Sequence, residues 1–330
     1  MLALHDEFAF IEQIKPTSAF QSGLITGIGD DAALVRPKID MEQIICLDTM
    51  VEGVHFTLDT MTPLQIGYKA LAVNLSDIAA MGGIPTYYLV SIAIPPGWSE
   101  QDLLSIYEGM EMLANKYQID LIGGDTVSIS DSLVITVTVL GEVEKGKHLL
   151  RSRATPGDIV FVTGFLGDSA AGLELLLQHG KDHSFTDFEE VLVTKHQFPE
   201  PRVEVGRLLA AFERVSLNDV SDGLASELNE IAKASQVVIT FDQDDVPLSE
   251  QIKIHNNEKS LEYALYGGED FELVGTVPAS DWNSIKQKCV AAGVIIRKIG
   301  TVSSGDPAVF LQSSGSLQKI DRKGYNHFSK

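Results

Sequence analysis

The chain is poor in cysteine. Cys46 and Cys289 are its only two in 330 residues, and they are too far apart for a cysteine zinc motif and too few for a disulfide framework. A reducing, cytoplasmic setting is expected. Basic residues are also scarce: 25 Lys and Arg stand against 46 Asp and Glu, a formal net charge of −21. Nothing of that balance could neutralise a run of nucleic-acid phosphates, so a nucleic-acid partner is excluded. An anionic substrate would have to be recruited through metal cations instead. No apolar run approaches the roughly 20 residues that span a bilayer. The opening "MLALHDEFAF" has neither the basic stretch nor the cleavage pattern of a signal peptide, and no membrane partner is expected.

What is present is an α/β composition, 44% hydrophobic with 28 Gly and 12 Pro, in a chain long enough for two domains. "HDEFAFIEQIK" sets Phe8, Ile11 and Ile14 at helical spacing. Strand-like "AALVR" and "QIICLD" precede a long helix over Thr62 to Gly82, with Thr62 as its cap and Gly82 and Gly83 at its end. "TYYLVSIAI", a helix from about Ser99, "IDLIGGD" and "SLVITVTVLGEV" follow. The pattern breaks at "KGKHLLRSRATPGD", which places a junction between residues 1–148 and 149–330. The second part resumes with strands "DIVFVTG", "VVITFD" and "FELVGTV" and helices "DSAAGLELLLQHG", "GLASELNEIAKAS" and "SDWNSIKQKCVAAG". The polar stretch from Gly180 to Asp187 reads as a loop.

Two nucleotide motifs are near misses. "GIGDDA" fits G-x-G-x-x-A with Asp48 at about the distance of a ribose-binding acid, but "PTSAFQSGLIT" before it makes a poor buried strand and Pro37 leaves no room for the helix. "GEVEKGKH" resembles a P-loop in which His148 replaces the magnesium-binding hydroxyl, and Pro156 soon interrupts any following helix. A strand-ending turn accounts for it better.

Carboxylates recur beside small residues at the ends of apolar segments: Asp30 and Asp31 in "GIGDDA", Asp48 in "ICLDT", Asp125 in "IGGDT", Asp219 and Asp222 in "NDVSDG", and Glu269 and Asp270 in "YGGEDFEL". Any one alone is an ordinary turn former. Together, several of them at strand ends, they mark the edge where α/β proteins bind ligands. Asn74 and Asp77 share a face of the long apolar helix, and a carboxylate there must be either surface-facing or paired. Clustered carboxylates with few cysteines select hard cations such as Mg²⁺ or Mn²⁺. Because Mg²⁺ binds through a few carboxylates and substrate phosphates, phosphoryl transfer leads, with Arg151 as the direct phosphate contact.

In order along nearly the whole chain, "GIGDDAA", "DTMVEGVHF", "YKALAVNLSDIAAMGG", "LIGGDT", "VTGFLGDSAAGL", "VSDGLASEL", "YGGEDFEL" and "KGYNHF" resemble the thiamine-monophosphate kinase family, within the aminoimidazole ribonucleotide synthetase superfamily. The resemblance implies a two-domain α/β (α+β) fold: an N-terminal mixed sheet with helices that pairs into a barrel in a homodimer, and a C-terminal α/β domain completing the ATP and substrate site. It implies ATP-dependent phosphorylation of thiamine monophosphate to thiamine diphosphate with several Mg²⁺ ions. Metal positions fall on Asp31, Asp48, Asp77, Asp125, Asp219 and Asp222, with Asp30 adjacent. ATP contacts fall on Tyr107, Gly124, Asp125, Arg151 and Ser221, and substrate contacts on His55, Glu269 and Tyr325. Where the family has hydroxyl residues before the strand-end Asp, this chain has Cys46 and Leu47, poor Mg²⁺ ligands.

Such an acceptor is itself a phosphate monoester with a second pKa of about 6, already ionised near neutrality, so no general base is required. The residues themselves leave simpler roles open. His55 beside Phe56 also reads as a partly buried histidine, Tyr325 as a pin for the carboxyl terminus, and "GFLGDSAAGL" as a tight strand-to-helix turn rather than a phosphate cradle. The alternatives in function are another ATP-using relative, such as an aminoimidazole ribonucleotide or selenophosphate synthetase, or a non-catalytic metal-dependent nucleotide-binding protein.

Overall fold

A computed structural model describes residues 6–323, so Tyr325 lies outside the described residues. The chain divides into two units, one of Met1–Ile78 with Ile84–Gly146, the other of Ala79–Gly83 with Lys147–Lys330.

The first unit runs α1 (Glu7–Ile14), β1 (Leu24–Thr26), β2 (Leu34–Val35), β3 (Met41–Val51), α2 (Pro63–Ala80), β4 (Ile84–Ile94), α3 (Glu100–Tyr117), β5 (Asp120–Ser128) and β6 (Val134–Glu144). Its main sheet has the order β3-β6-β4-β5, with β4 and β5 parallel and the other pairs antiparallel. Alternation along β3 divides its faces: Ile44 and Met50 are buried, with Cys46 and Asp48 between them on that side, while Ile45 and Leu47 point the other way at 68% and 59% exposure.

Helix α2 starts where sequence signals place it. Pro63 takes the first helical position, the Thr62 N–H donates to Gln65 Oε1 at 2.7 Å, and the Gln65 N–H donates to Thr62 Oγ1 at 3.4 Å. It packs on α3 backbone to backbone. A β-carbon on Gly67 would fall 1.7 Å from the Ile106 carbonyl oxygen, and one on Gly109 would fall 1.9 Å from that of Leu64. Only paired glycines allow this crossing, and it fixes the helix that carries Asn74 and Asp77. Neither near-miss motif forms a nucleotide loop: "GIGDDA" joins two short strands with no helix, and "GEVEKGKH" is the end of β6 and a turn.

The second unit runs β7 (Ile159–Thr163), α4 (Asp168–His179), α5 (Asp187–Gln197), α6 (Val203–Ala210), β8 (Ser216–Asp219), α7 (Leu224–Ser235), β9 (Val238–Asp242), α8 (Glu250–Asn256), α9 (Ser260–Tyr266), β10 (Leu273–Val277), α10 (Trp282–Ala291), β11 (Ile296–Ser303), β12 (Ala308–Ser313) and β13 (Ser316–Lys319). Its seven strands are ordered β13-β12-β9-β11-β7-β10-β8, antiparallel except for β12 with β9. Val160 and Val162 of β7, Ile239 and Phe241 of β9, and Leu224, Leu228 and Ile231 of α7 belong to one buried core. Among the described residues no helix is long and apolar enough to cross a membrane.

Candidate functional site

In the first unit, β3 and α2 bring two of the expected acids together. Cys46 donates through Sγ to the Asn74 carbonyl at 3.4 Å, and two residues further along the strand Asp48 is hydrogen-bonded to Asp77. Burial pushes the Asp48 carboxyl above its ordinary range, while the bond to Asp77 and nearby His55 pull it back. Asp77 is therefore paired, the second of the two outcomes its helical position allowed. The Val51 N–H donates to His55 Nδ1 at 3.0 Å, which leaves the ring proton of a neutral imidazole on Nε2. Asn74 is fully buried; its Nδ2 donates to the Ala70 carbonyl, while its Oδ1 has no hydrogen-bond partner.

The departure at Cys46 and Leu47 involves only one of the two residues. Leu47 lies on the face opposite Asp48, so its apolar side chain takes nothing from that site. The Cys46 thiol occupies the space between strand and helix, within reach of the Asn74 and Val139 carbonyls.

Other expected residues of this unit lie on other elements. Gly124 lies across the sheet on the row of Asp48, through Val137 and Val90, and a side chain there would run into the Val90 carbonyl. Asp125 is exposed on the next row, opposite Ser91. Asp30 and Asp31 are exposed in a turn where the Asp31 N–H donates to Asp30 Oδ1 at 2.9 Å, and Gly27 of the same turn packs beside Ile122 of β5. Tyr107 is buried in α3 with its ring edge-to-face to Phe10; burial raises its phenol well above the ordinary value.

In the second unit the segment from Asn218 to Glu227 forms a connected polar cluster. The Asp222 N–H donates to Glu227 Oε1 at 3.1 Å, Ser221 Oγ donates to the same oxygen at 3.4 Å, and Asn218 Nδ2 donates to Oε2. Arg151 Nε donates to Asn218 Oδ1 at 2.7 Å. Burial, reinforced by Asp219, pushes the Glu227 carboxyl up to about 8, against the pull of the Asp222 N–H. Asp219 is buried at the end of β8, while Asp222 is half-buried and within 4.0 Å of Arg322.

Sequence reasoning missed Asn218 and Glu227. Glu227 did carry a signal. With Leu224, Leu228 and Ile231 it occupies the apolar stripe of α7, where a carboxylate must be satisfied.

The "YGGEDFEL" loop separates its three acids. Glu269 adopts a left-handed φ of 68° and reaches Nδ1 of the buried His196 at 3.4 Å. Asp270 turns inward and accepts from the Gly167 N–H at 2.7 Å and the Ser169 N–H at 3.4 Å. Burial holds its carboxyl well above the ordinary range. Glu272 pairs with Arg202 and accepts from Thr163 Oγ1 at 2.7 Å. The start of α4 is thus already occupied by a carboxylate, and Gly164 and Gly167, at φ of 60° and 85°, serve the strand-to-helix turn. This agrees with the turn reading of "GFLGDSAAGL".

Among the described residues no three His, Cys, Asp or Glu side chains form a ready-made ion cage. The donor chemistry nevertheless suits a hard cation. Asp48 and Asp77 are two acids in hydrogen-bond contact, which need a proton or a cation between them, and the Asn74 amide oxygen on the same helix face is buried without a donor.

Residues 29–143 match the AIR synthase related protein, N-terminal domain, and residues 155–312 match the corresponding C-terminal domain. The chain is 53% identical over 325 residues to the thiamine-monophosphate kinase of Bacillus subtilis, covering 98% of this chain and 99% of that one. The chain belongs to the thiamine-monophosphate kinase family. Two solved structures agree with that membership. The thiamine-monophosphate kinase of Stenotrophomonas maltophilia superposes with a TM-score of 0.86 at 34% identity, covering 94% of this chain and 98% of that one. The structure of AaThiL complexed with AMPPCP and TMP gives 0.78 at 33%, covering 98% and 97%. The two-domain mixed α/β fold expected of the family is the fold observed.

Proposed function

We propose that this chain transfers the γ-phosphoryl group of ATP to the phosphate of thiamine monophosphate, giving thiamine diphosphate and ADP. The observation that carries this is the match, over almost its whole length, to a family whose solved structures include one complexed with AMPPCP and TMP. The acceptor oxygen is ionised near neutrality, which is why the chain needs no general base to remove a proton from it. The difficulty is to bring two anions into line in a protein of net charge −21. Mg²⁺, when bound, would offset the repulsion between the phosphates.

In the first unit Asp48 and Asp77, with the Asn74 amide oxygen, are the proposed holders of one ion, and Asp30, Asp31 and Asp125 supply further carboxylates. In the second unit Asp219 and Asp222 have that role. Arg151 is the proposed phosphate contact: Asn218 fixes its Nε, and its two terminal nitrogens carry no hydrogen bond among the described residues. Ser221 lies in the same turn. His55 and Glu269 are the proposed substrate contacts, with Tyr325.

Incubation with Mg–ATP and thiamine monophosphate, followed by separation of the thiamine species, tests the reading. Thiamine diphosphate formed in step with ADP supports it. ADP without thiamine diphosphate, or equal turnover of free thiamine, overturns it in favour of another ATP-using relative. Nucleotide binding without turnover favours a non-catalytic binder.

We also propose that the protein works as a cytoplasmic homodimer. Cys46 and Cys289 are not joined in a disulfide, and the exposed side of β3 offers Ile45 and Leu47 as an apolar face for a second copy.

A further inference from the structure

Arg151, the Ser221–Asp222 turn and β8 meet at one side chain, Glu227. We infer that Glu227 is a positioning residue for nucleotide binding: it sets the Arg151 guanidinium through Asn218 and holds the Ser221–Asp222 turn directly. The inference rests on the phosphate role proposed for Arg151.

The hydrogen-bond pattern fixes the direction of the relay. Asn218 Oδ1 accepts from Arg151 Nε at 2.7 Å, and Asn218 Nδ2 donates to Glu227 Oε2. An arginine can only donate, so the amide has one orientation that serves both neighbours. Asn218 is buried in β8, and Ser216 of the same strand donates through Oγ to the Arg151 carbonyl at 2.8 Å. Ser235 of α7 donates to that carbonyl as well, at 2.7 Å. Backbone and side chain of Arg151 are therefore both located, and its terminal nitrogens are left for a ligand.

The other Glu227 oxygen receives the Asp222 N–H at 3.1 Å and Ser221 Oγ at 3.4 Å. Three donors converge on one carboxyl group, which accepts at both oxygens once it gives up the proton that burial favours. An amide at the same place offers a single acceptor, so an N–H would face either Asn218 Nδ2 or the Asp222 N–H. Glu227 touches no reacting atom on this account and acts only through the groups it holds.

The test is a thermodynamic cycle on the full-length protein, with Mg–AMPPCP as probe and binding read by calorimetry. Above pH 8, where Glu227 is ionised, Glu227→Gln is expected to weaken binding about tenfold, the loss of about 1.4 kcal/mol from a charge-assisted contact. Arg151→Ala should weaken it as well, and the double variant should lose less than the sum of the two single losses, the remainder passing through the Ser221–Asp222 turn. In turnover the KM for ATP should rise while the KM for thiamine monophosphate stays within about twofold, far below the tenfold change in nucleotide affinity. Asn218→Asp, which sets a carboxylate against Glu227, should reproduce the Glu227→Gln defect. Unchanged nucleotide affinity in Glu227→Gln, or strictly additive losses in the double variant, overturns the relay. A purely structural Glu227 would lower the melting temperature and leave the nucleotide affinity of the folded protein intact, which also overturns it. If the wild-type protein fails to bind Mg–AMPPCP, the reading of Arg151 falls first and the relay with it.

Discussion

Asp270 closes the amino-terminal end of a helix to which it does not belong, its carboxylate 2.7 Å from the Gly167 N–H and 3.4 Å from that of Ser169. The residue at the cap position, Gly167, has no side chain to do this, so the acid is supplied from a loop about a hundred residues away in sequence.

Removing that acid should leave the two N–H groups unsatisfied. Asp270→Ala is expected to cost about 1–3 kcal/mol, read as a lower urea midpoint. Asp270→Asn keeps an acceptor oxygen and should cost less. Equal stability of Asp270→Ala and wild type would mean that water serves the helix end equally well.

Asp168, the first residue of the same helix, gives a pH signature. Burial raises its carboxyl from the ordinary 3.8 to about 6, although the bond from Ser249 Oγ at 2.6 Å and the charge of Lys195 oppose the shift. The folded state therefore holds this proton more tightly than the unfolded one. The stabilisation is fully present below the ordinary pKa and is lost as pH rises through 6. The loss amounts to at most about 3 kcal/mol. In Asp168→Asn that component is absent, so the stability difference between variant and wild type should shift in the variant's favour from about pH 4 to about pH 7. Denaturation of both proteins across that range checks it, and parallel pH profiles would exclude the effect.

The Asp48–Asp77 contact makes a prediction about metal dependence. Asp77→Asn should keep the fold, because an amide can still bond Asp48, while raising the Mg²⁺ concentration needed for half-maximal turnover by roughly ten- to a hundredfold. Near-normal activity at limiting Mg²⁺ would remove this pair from the ion site.

Self-association should depend on the open face of β3. Ile45→Glu places a charge where a second copy would have to bury it, and the sedimentation coefficient should fall to that of a monomer with the circular dichroism unchanged. A variant that sediments like wild type would send the contact elsewhere.

The long elements and one half of the candidate site were legible in sequence for physical reasons. Helix α2 announced itself by Thr62 at its start, Gly82 and Gly83 at its end and a sustained apolar run between them, and Asp77 stood out because a carboxylate there must be either surface-facing or paired. The same reasoning applies to Glu227 in α7, where it was masked by the more conspicuous "SDG" just before it. Helices α8 and α9, each of seven residues, are too short to display a helical period. The alternation that separates Cys46 from Leu47 could be read only once their strand was known to extend from Met41 to Val51. In "YGGEDFEL" no periodicity could have sorted the acids, because Glu269 and Phe271 both take left-handed conformations, φ of 68° and 50°, that redirect successive side chains.

Glu269 is also tied to the turn that precedes α7. Its N–H donates to the Ser221 carbonyl at 2.7 Å, and the Phe271 N–H donates to that of Val220 at 2.9 Å. These bonds belong to the main chain and cannot be rotated away, so the acid loop and the serine turn share one displacement coordinate. Two backbone hydrogen bonds thus hold the proposed nucleotide contact and the proposed second-substrate contact to one another.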